Sequence, residues 1–248
     1  MEENINKNVF LEELNKNFYE KLNITLSPKQ GEQFFLFIIF LIEENEKYNL
    51  TAIREEKQII KKHFLDSCYV KLFFDKFNPK INKIIDIGTG AGFPGFPIAI
   101  LYPEINFLLI DSSNKKISFI NKLKEKTNVQ NVTTLCSRAE ELSHVSFYRE
   151  KFDLVLSRAV AKTSILQELS VGFLKKGGLL VFYKNIDIEE EIIDSKNTEK
   201  KLFIEKIDNI EYGLDKNEKD RQIIIYKKLK ETPNIYPRKY NQILSKKI

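Results

Sequence analysis

Ile84-Ile85-Asp86-Ile87-Gly88-Thr89-Gly90-Ala91-Gly92-Phe93-Pro94-Gly95-Phe96-Pro97 is the stretch on which the reading of this 248-residue chain turns. It opens as a short apolar strand carrying one aspartate. Then Gly88, Gly90, Gly92 and Gly95, four of the chain's nine glycines, fall within eight residues. A strand that turns this sharply into a helix needs backbone angles that side chains resist, and bare backbone lets a ligand come close. The helix expected from about Pro94 or Pro97 adds unpaired N–H groups at its start. The spacing predicts a ligand-holding turn.

Upstream, three helical patterns fill the first eighty residues. Phe10, Leu11, Leu14, Phe18 and Leu22 recur near helical spacing between Val9 and Leu22. Ser27-Pro28-Lys29-Gln30 reads as a capping box that opens a second helix, ending near Lys47. After the connection Tyr48–Ile53, a third runs from about Glu55 to Phe77 and is stopped by Asn78-Pro79. Downstream, strand candidates fall at Ile84–Ile87, Phe107–Ile110, Val132–Leu135, Leu154–Leu156, Leu179–Tyr183, Leu202–Asp208 and Gln222–Tyr226. Helical segments separate the first five, which predicts a parallel, doubly wound sheet. A helix over about Ile188 to Asn197 precedes the last two strands. Only a short polar turn around Gly213–Lys219 separates that pair, so they pair as an antiparallel hairpin.

The fold class is therefore α/β. A Rossmann-like seven-stranded sheet with an antiparallel final strand pair is the layout of class I S-adenosylmethionine (SAM)-dependent methyltransferases, and the dinucleotide fold has six. The expected organisation is a helical N-terminal region (1–80), a SAM-binding domain (81–228) and a basic C-terminal tail (229–248).

Two ligands compete for the turn. Gly90-Ala91-Gly92-Phe93-Pro94-Gly95 matches the dinucleotide pattern, and Asp111 follows Gly90 by 21 positions, the spacing of an NAD ribose ligand. The alternative counts Asp86 as part of the motif, with Gly88, Gly90 and Gly92 wrapping the amino-acid end of SAM. Asp111 then accepts the ribose hydroxyls, with Ser112 and Ser113 beside it, and Asp86 reaches toward the cofactor's ammonium. The extra glycine, Asp86 and the closing hairpin favour SAM over NAD. Phe93 offers an apolar wall. Ala139 and Glu140 follow the third strand, where such folds contact adenine, although Glu140 also reads as an exposed charge at a helix start. Arg158 ends the fourth strand, where a doubly wound sheet carries reacting groups; its expected role is positioning. His63, Asp66 and Ser67 share one face of the third helix. That face either lines an RNA or cofactor cleft or ties the helices to the sheet.

Composition narrows the chemistry. The chain is 42% hydrophobic and 30% charged, enough for a core and against disorder along the whole length. Cys68 and Cys136 are its two cysteines, so neither a disulfide framework nor a four-cysteine zinc site is expected, and with two histidines no metal site is predicted. The first eight residues are charged and polar, unlike a signal peptide. The longest apolar run, Phe34–Ile42, is far below the roughly 20 residues of a membrane span. A cytoplasmic, monomeric protein with no membrane contact is expected. Net charge is +5, made up of +6 on the segment from Lys227 onward and −1 on the rest, so a polyanionic partner, nucleic acid foremost, is implied. Arg238 and Lys239 are the candidate phosphate contacts. After the fourth strand stands Ser157-Arg158-Ala159-Val160, not the Asn/Asp-Pro-Pro-aromatic loop of adenine amino-methylation, and no cysteine is placed to attack a pyrimidine. Guanine N7 needs neither a nucleophile nor a general base, because its lone pair carries no proton. Positioning alone then supplies most of the catalysis.

These residues resemble the bacterial 16S ribosomal RNA (guanine-N7) methyltransferases, the ribosomal RNA small subunit methyltransferase G family, once called glucose-inhibited division protein B. The resemblance rests on Tyr48–Ile53, His63-Phe64-Leu65-Asp66-Ser67, the Asp86–Pro97 block, Asp111-Ser112, Ser137-Arg138-Ala139-Glu140, Ser157-Arg158-Ala159 and the basic ending. It implies methyl transfer from SAM to N7 of guanine 527, in the 530 loop of 16S rRNA, with naked rRNA or the small ribosomal subunit as partner. It also implies cofactor contacts at Gly88, Phe93, Ala139, Glu140 and Arg158, and RNA contacts at His63, Arg238 and Lys239. Two other classes stay open on residues alone: a non-catalytic RNA-binding or assembly protein that keeps a SAM-like turn, and, more remotely, a dehydrogenase.

Overall fold

A computed structural model describes residues 5–158, 160–215, 219–246 and 248. Ala159 of the motif after the fourth strand, the centre of the expected 213–219 turn and Lys247 of the tail lie outside those residues. In chain order the elements are α1 (Lys7–Leu22), α2 (Pro28–Tyr48), α3 (Glu56–Ile59), a π-helical stretch (Ile60–Leu65), α4 (Asp66–Cys68), α5 (Val70–Phe77), β1 (Lys83–Ile87), α6 (Gly95–Leu101), β2 (Asn106–Asp111), α7 (Asn114–Thr127) and β3 (Val132–Cys136). There follow α8 (Ala139–Leu142), β4 (Phe152–Arg158), α9 (Thr163–Val171), β5 (Leu174–Asn185), α10 (Glu189–Leu202), β6 (Ile204–Tyr212), β7 (Arg221–Lys228) and α11 (Tyr240–Ser245).

The strands form one sheet in the order β3-β2-β1-β4-β5-β7-β6. The first five run parallel, while β7 pairs antiparallel with both β5 and β6. Chain direction across the sheet reverses between β1 and β4, and a crevice opens outside the carboxyl ends of such strands. The alternation of side chains along each strand assigns the two faces. Ile84, Leu109, Leu154, Leu156, Val181, Ile223 and Ile225 point into one core. Their neighbours Ile85, Leu108, Ile110, Val155, Leu180, Phe182 and Ile224 point into the other.

The N-terminal helices are not a separate body. Phe10, Leu14 and Phe18, one turn apart along α1, are fully buried in the first core. Phe18 meets Phe34 at 5.3 Å, Phe34 meets Phe64 at 5.1 Å, and Phe37 of α2 stacks on Phe93 of the glycine turn at 5.1 Å. The Ser27 capping box forms as expected, with Gln30 bonding back to the Ser27 amide. The third helix departs from expectation: its centre winds as a π-helix and Tyr69 breaks it before α5. The expected strand from Leu202 to Asp208 is also shifted. Leu202 ends α10, because Phe203 adopts a left-handed conformation (φ 54°) that closes the helix, and β6 starts only at Ile204.

The tail folds back onto the second face, with Ile243 buried and Tyr236 and Tyr240 packed beside it. Arg149, before β4, donates to the backbone carbonyls of Ser143, Thr232, Pro233 and Tyr236. Lys228, fully buried, is held by Glu150 at 2.6 Å and by two backbone carbonyls, and Glu150 also accepts the Thr232 amide. Deletion from Thr232 onward strips apolar cover from this face and empties Arg149's grip. The expected cost is about 2–5 kcal/mol of stability, from lost apolar burial and orphaned polar groups. Denaturant unfolding of the truncated and full chains measures it.

Candidate active site

The glycine turn is shaped by two carboxylates on adjacent strands. Gly88, Gly90 and Gly92 hold φ values of +68°, +62° and +93°, the left-handed region that glycine alone enters freely. Asp86, near the end of β1 and fully buried, accepts the Thr89 hydroxyl at 2.7 Å and the Gly95 amide at 2.9 Å on Oδ2. Its Oδ1 is buried without a partner. Burial pushes the Asp86 carboxyl up to about 7, against the pull of those two hydrogen bonds. Asp111, at the end of β2, accepts the Gly90 amide at 3.0 Å on Oδ2 and the Ser113 amide at 2.9 Å on Oδ1. Ser113 occupies the cap position of α7, but its hydroxyl makes no capping bond; the Asp111 carboxylate turns the chain there instead. A side chain on Gly95 would collide with Leu109 and sit 2.8 Å from Asp86 Oδ2, whereas one on Gly90 would meet nothing within 4 Å. The turn is therefore packed hard from beneath and open above Gly90.

A charged wall stands beside it. Phe93 is sandwiched between Phe37 and the His63 ring, whose centroid lies 4.5 Å away at 16°. Arg158, at the end of β4, lies over the Phe93 ring at 5.3 Å and donates from Nη1 to Asp66 Oδ2 at 2.7 Å. It also reaches the Lys62 carbonyl at 3.3 Å and His63 Nδ1 at 3.4 Å. Because a guanidinium only donates, His63 Nδ1 accepts, and Nε2–H donates to Thr51 Oγ1 at 2.8 Å. Burial and the Arg158 charge push the His63 imidazole down to about 3, so the ring is neutral. Asp66, 1% exposed, also takes the Tyr212 hydroxyl at 2.8 Å and Arg221 at 3.3 Å. Sequence reasoning placed His63, Asp66 and Arg158 but missed Thr51, Tyr212 and Arg221. Thr51 lay inside the quoted Tyr48–Ile53 stretch; nothing local marked the two hairpin residues, which arrive through the sheet pairing.

Ala139 and Glu140 open α8, beyond the carboxyl end of β3. Glu140 is nearly buried, not the exposed helix-start charge, with Arg138 at 3.9 Å. Together with Arg138, Lys239 and Tyr240 it lines a concavity of about 1050 Å³ between α8 and the tail. The two tail residues expected at RNA differ. Lys239 is exposed. Arg238 is not free: its Nε and Nη2 form a fork on buried Glu168, both at 2.8 Å. Ser112 is exposed next to Asp111.

The crevice suits a nucleoside with a charged amino-acid end. Asp111 Oδ2 also accepts from Lys116 Nζ at 3.4 Å, while Oδ1, bonded to the Ser113 amide alone, retains acceptor capacity for a ribose hydroxyl. The buried Asp86 Oδ1 offers an unused acceptor beneath the turn, and Gly90 leaves bare backbone facing open space.

A family model described as rRNA small subunit methyltransferase G matches residues 30–224. The chain is 43% identical over 227 residues to Ribosomal RNA small subunit methyltransferase G of Mycoplasma capricolum, covering 92% of this chain and 95% of that one. It is likewise 43% identical over 230 residues to the protein of that name in Bacillus subtilis, with the same shares covered. Among solved structures, the ribosomal protein L11 methylase of Lactobacillus delbrueckii superposes with a TM-score of 0.50 at 13% identity, over 68% of this chain and 79% of that one, a likeness of fold alone.

Proton linkage pulls the half-buried His63 and the buried Asp86 in opposite directions. His63 is depressed from its ordinary value of about 6.5, so its neutral burial stabilises fully above that pH and is lost as pH falls toward about 3. Asp86 is raised, so its contribution is present at low pH and is lost as pH rises to about 7. Thermal unfolding between pH 4 and 7 separates them. His63→Gln gains stability relative to wild type as pH falls, and Asp86→Asn gains as pH rises.

Proposed function

The chain belongs to the ribosomal RNA small subunit methyltransferase G family, and from that membership and the crevice above we propose that it transfers the methyl group of SAM to N7 of guanine 527, in the 530 loop of 16S rRNA. The observation that carries the reading is the paired-carboxylate turn. Asp86 and Asp111 shape bare backbone at Gly88, Gly90 and Gly92 into a cradle at the carboxyl end of the central strands. When bound, the cofactor would supply an electrophilic methyl on a sulfonium, with a neutral thioether as the leaving group, and the residues of the crevice would hold that methyl in line with the N7 lone pair.

The chain's own residues bind and orient. Asp111, with Ser112 and Ser113, holds the ribose. Asp86 lies toward the ammonium. Ala139 and Glu140 border the adenine, and Phe93 closes the apolar side. Arg158 positions the cofactor or the target base and is not a proton carrier, because N7 has no proton to lose. His63 is kept neutral and cannot serve as an acid near neutral pH. The target base sits in an irregular region, since a regular A-form helix hides N7 in its deep groove. Lys239 is the tail residue that meets phosphate; Arg238 supports it by fixing the tail to α9. The protein acts as a monomer in the cytoplasm, on rRNA or the small subunit. A dinucleotide reading loses support from the antiparallel β7, which stands where a second mononucleotide half would continue.

Tritiated SAM with 16S rRNA or small subunits should transfer one methyl per RNA. Substitution of 7-deazaguanosine at position 527 should abolish transfer, because it replaces the accepting nitrogen with carbon. Unchanged incorporation into that RNA would overturn the N7 assignment, and no incorporation into any rRNA would favour the non-catalytic binding reading.

A further inference from the structure

The wall beside the glycine turn concentrates more charge than a tie between helices and sheet requires. Two guanidinium groups, Arg158 and Arg221, converge on one carboxylate, Asp66, at 2.7 Å and 3.3 Å. Asp66 is 1% exposed, and its second oxygen is taken by Tyr212. Asp220 stands on the far side of Arg221 at 3.7 Å, His63 is neutral, and burial pushes the Tyr183 and Tyr212 hydroxyls up. The two guanidinium groups are thus matched by two carboxylates, Asp66 buried and Asp220 exposed, next to a crevice that on the preceding reading takes a sulfonium and yields a cationic base. A buried ion pair is a poor way to gain stability, since well-packed apolar residues of the same volume do as well or better.

We propose that Asp66 is a positioning residue and counter-charge for this site: it fixes Arg158 against Phe93 and offsets the charge of Arg158 and Arg221, so that the cationic cofactor is not disfavoured against its neutral product. The proposal rests on the SAM reading. Without Asp66, Arg158 would stand as an unpaired guanidinium facing another cation. With it, Arg158 keeps its hydrogen-bond donors and geometry while its field is largely offset. Arg221, arriving from the first residue of β7, trims the offset from the far side; Asp220 stands 3.7 Å from it and is exposed.

The test compares SAM with S-adenosylhomocysteine, which lacks the methyl group and the sulfonium charge but keeps every other contact. Isothermal titration of the purified full chain gives the preference for SAM over this product. Asp66→Asn should lower that preference by about tenfold, the order produced by one unit charge acting over about 12 Å at an effective dielectric of about 20. Arg221→Gln should raise it by a smaller factor, because Arg221 is more exposed. The double variant, which restores the net charge of the set, should return the preference toward the wild-type value. A merely structural role predicts otherwise: both ligands weaken by the same factor in every variant, and that result overturns the proposal. If Asp66→Asn fails to fold, Arg221→Gln decides alone, and an unchanged preference there overturns it equally. Wild-type protein that bound neither ligand would instead overturn the cofactor reading, and the proposal with it.

Discussion

One turn of backbone, pinned by carboxylates from two neighbouring strands, is the constraint on which the rest of this molecule depends. Asp86 gathers the Thr89 hydroxyl and the Gly95 amide from below, and Asp111 takes the Gly90 amide from the side. Between these anchors the chain can hold three alternate glycines, Gly88, Gly90 and Gly92, in the left-handed region. The cost is a buried acid with one unsatisfied oxygen. Such strain and desolvation persist only where the surroundings over-determine them, and they cluster where ligands bind. The packed underside and the open face at Gly90 are two views of the same arrangement.

The helical region contributes through the aromatic path from Phe18 to Phe93. Phe93 is both the last ring of the first core and the floor beneath Arg158 and His63. Packing in α1 and α2 thus bears on the geometry of the crevice through contiguous rings, with no need for a flexible connection. The π-helical stretch sits where this path meets the sheet. Wider turns of this kind often mark functional positions, and here one carries His63.

Much of this was legible in the sequence for identifiable reasons. Glycine spacing, Asp86, Asp111 and the strand alternation are local signals, and each led to the correct place in the fold. The capping box at Ser27 and Gln30 was equally local and equally sound. What escaped depended on three-dimensional closure. Arg221 and Tyr212 reach Asp66 only because β7 inserts between β5 and β6. The left-handed turn at Phe203 is unmarked by any glycine, which is why the start of β6 was misplaced. The tail misled for a different reason: charge counting sees Arg238 but not the buried Glu168 that neutralises it. A basic composition speaks for nucleic acid only after internal partners are subtracted.

The two faces of the sheet are closed by opposite ends of the polypeptide. Residues from α1 and α2 are available early in translation, so the first core can consolidate as soon as the parallel strands emerge. The second face must wait for Arg149 to find its carbonyls in residues 232–236 and for Ile243 to dock. Until the ribosome has released that segment, only the earlier helices α8, α9 and α10 cover that side, and the ground on which Tyr236, Tyr240 and Ile243 pack stays open. The nascent chain thus carries one finished and one half-covered face until its last residues are free.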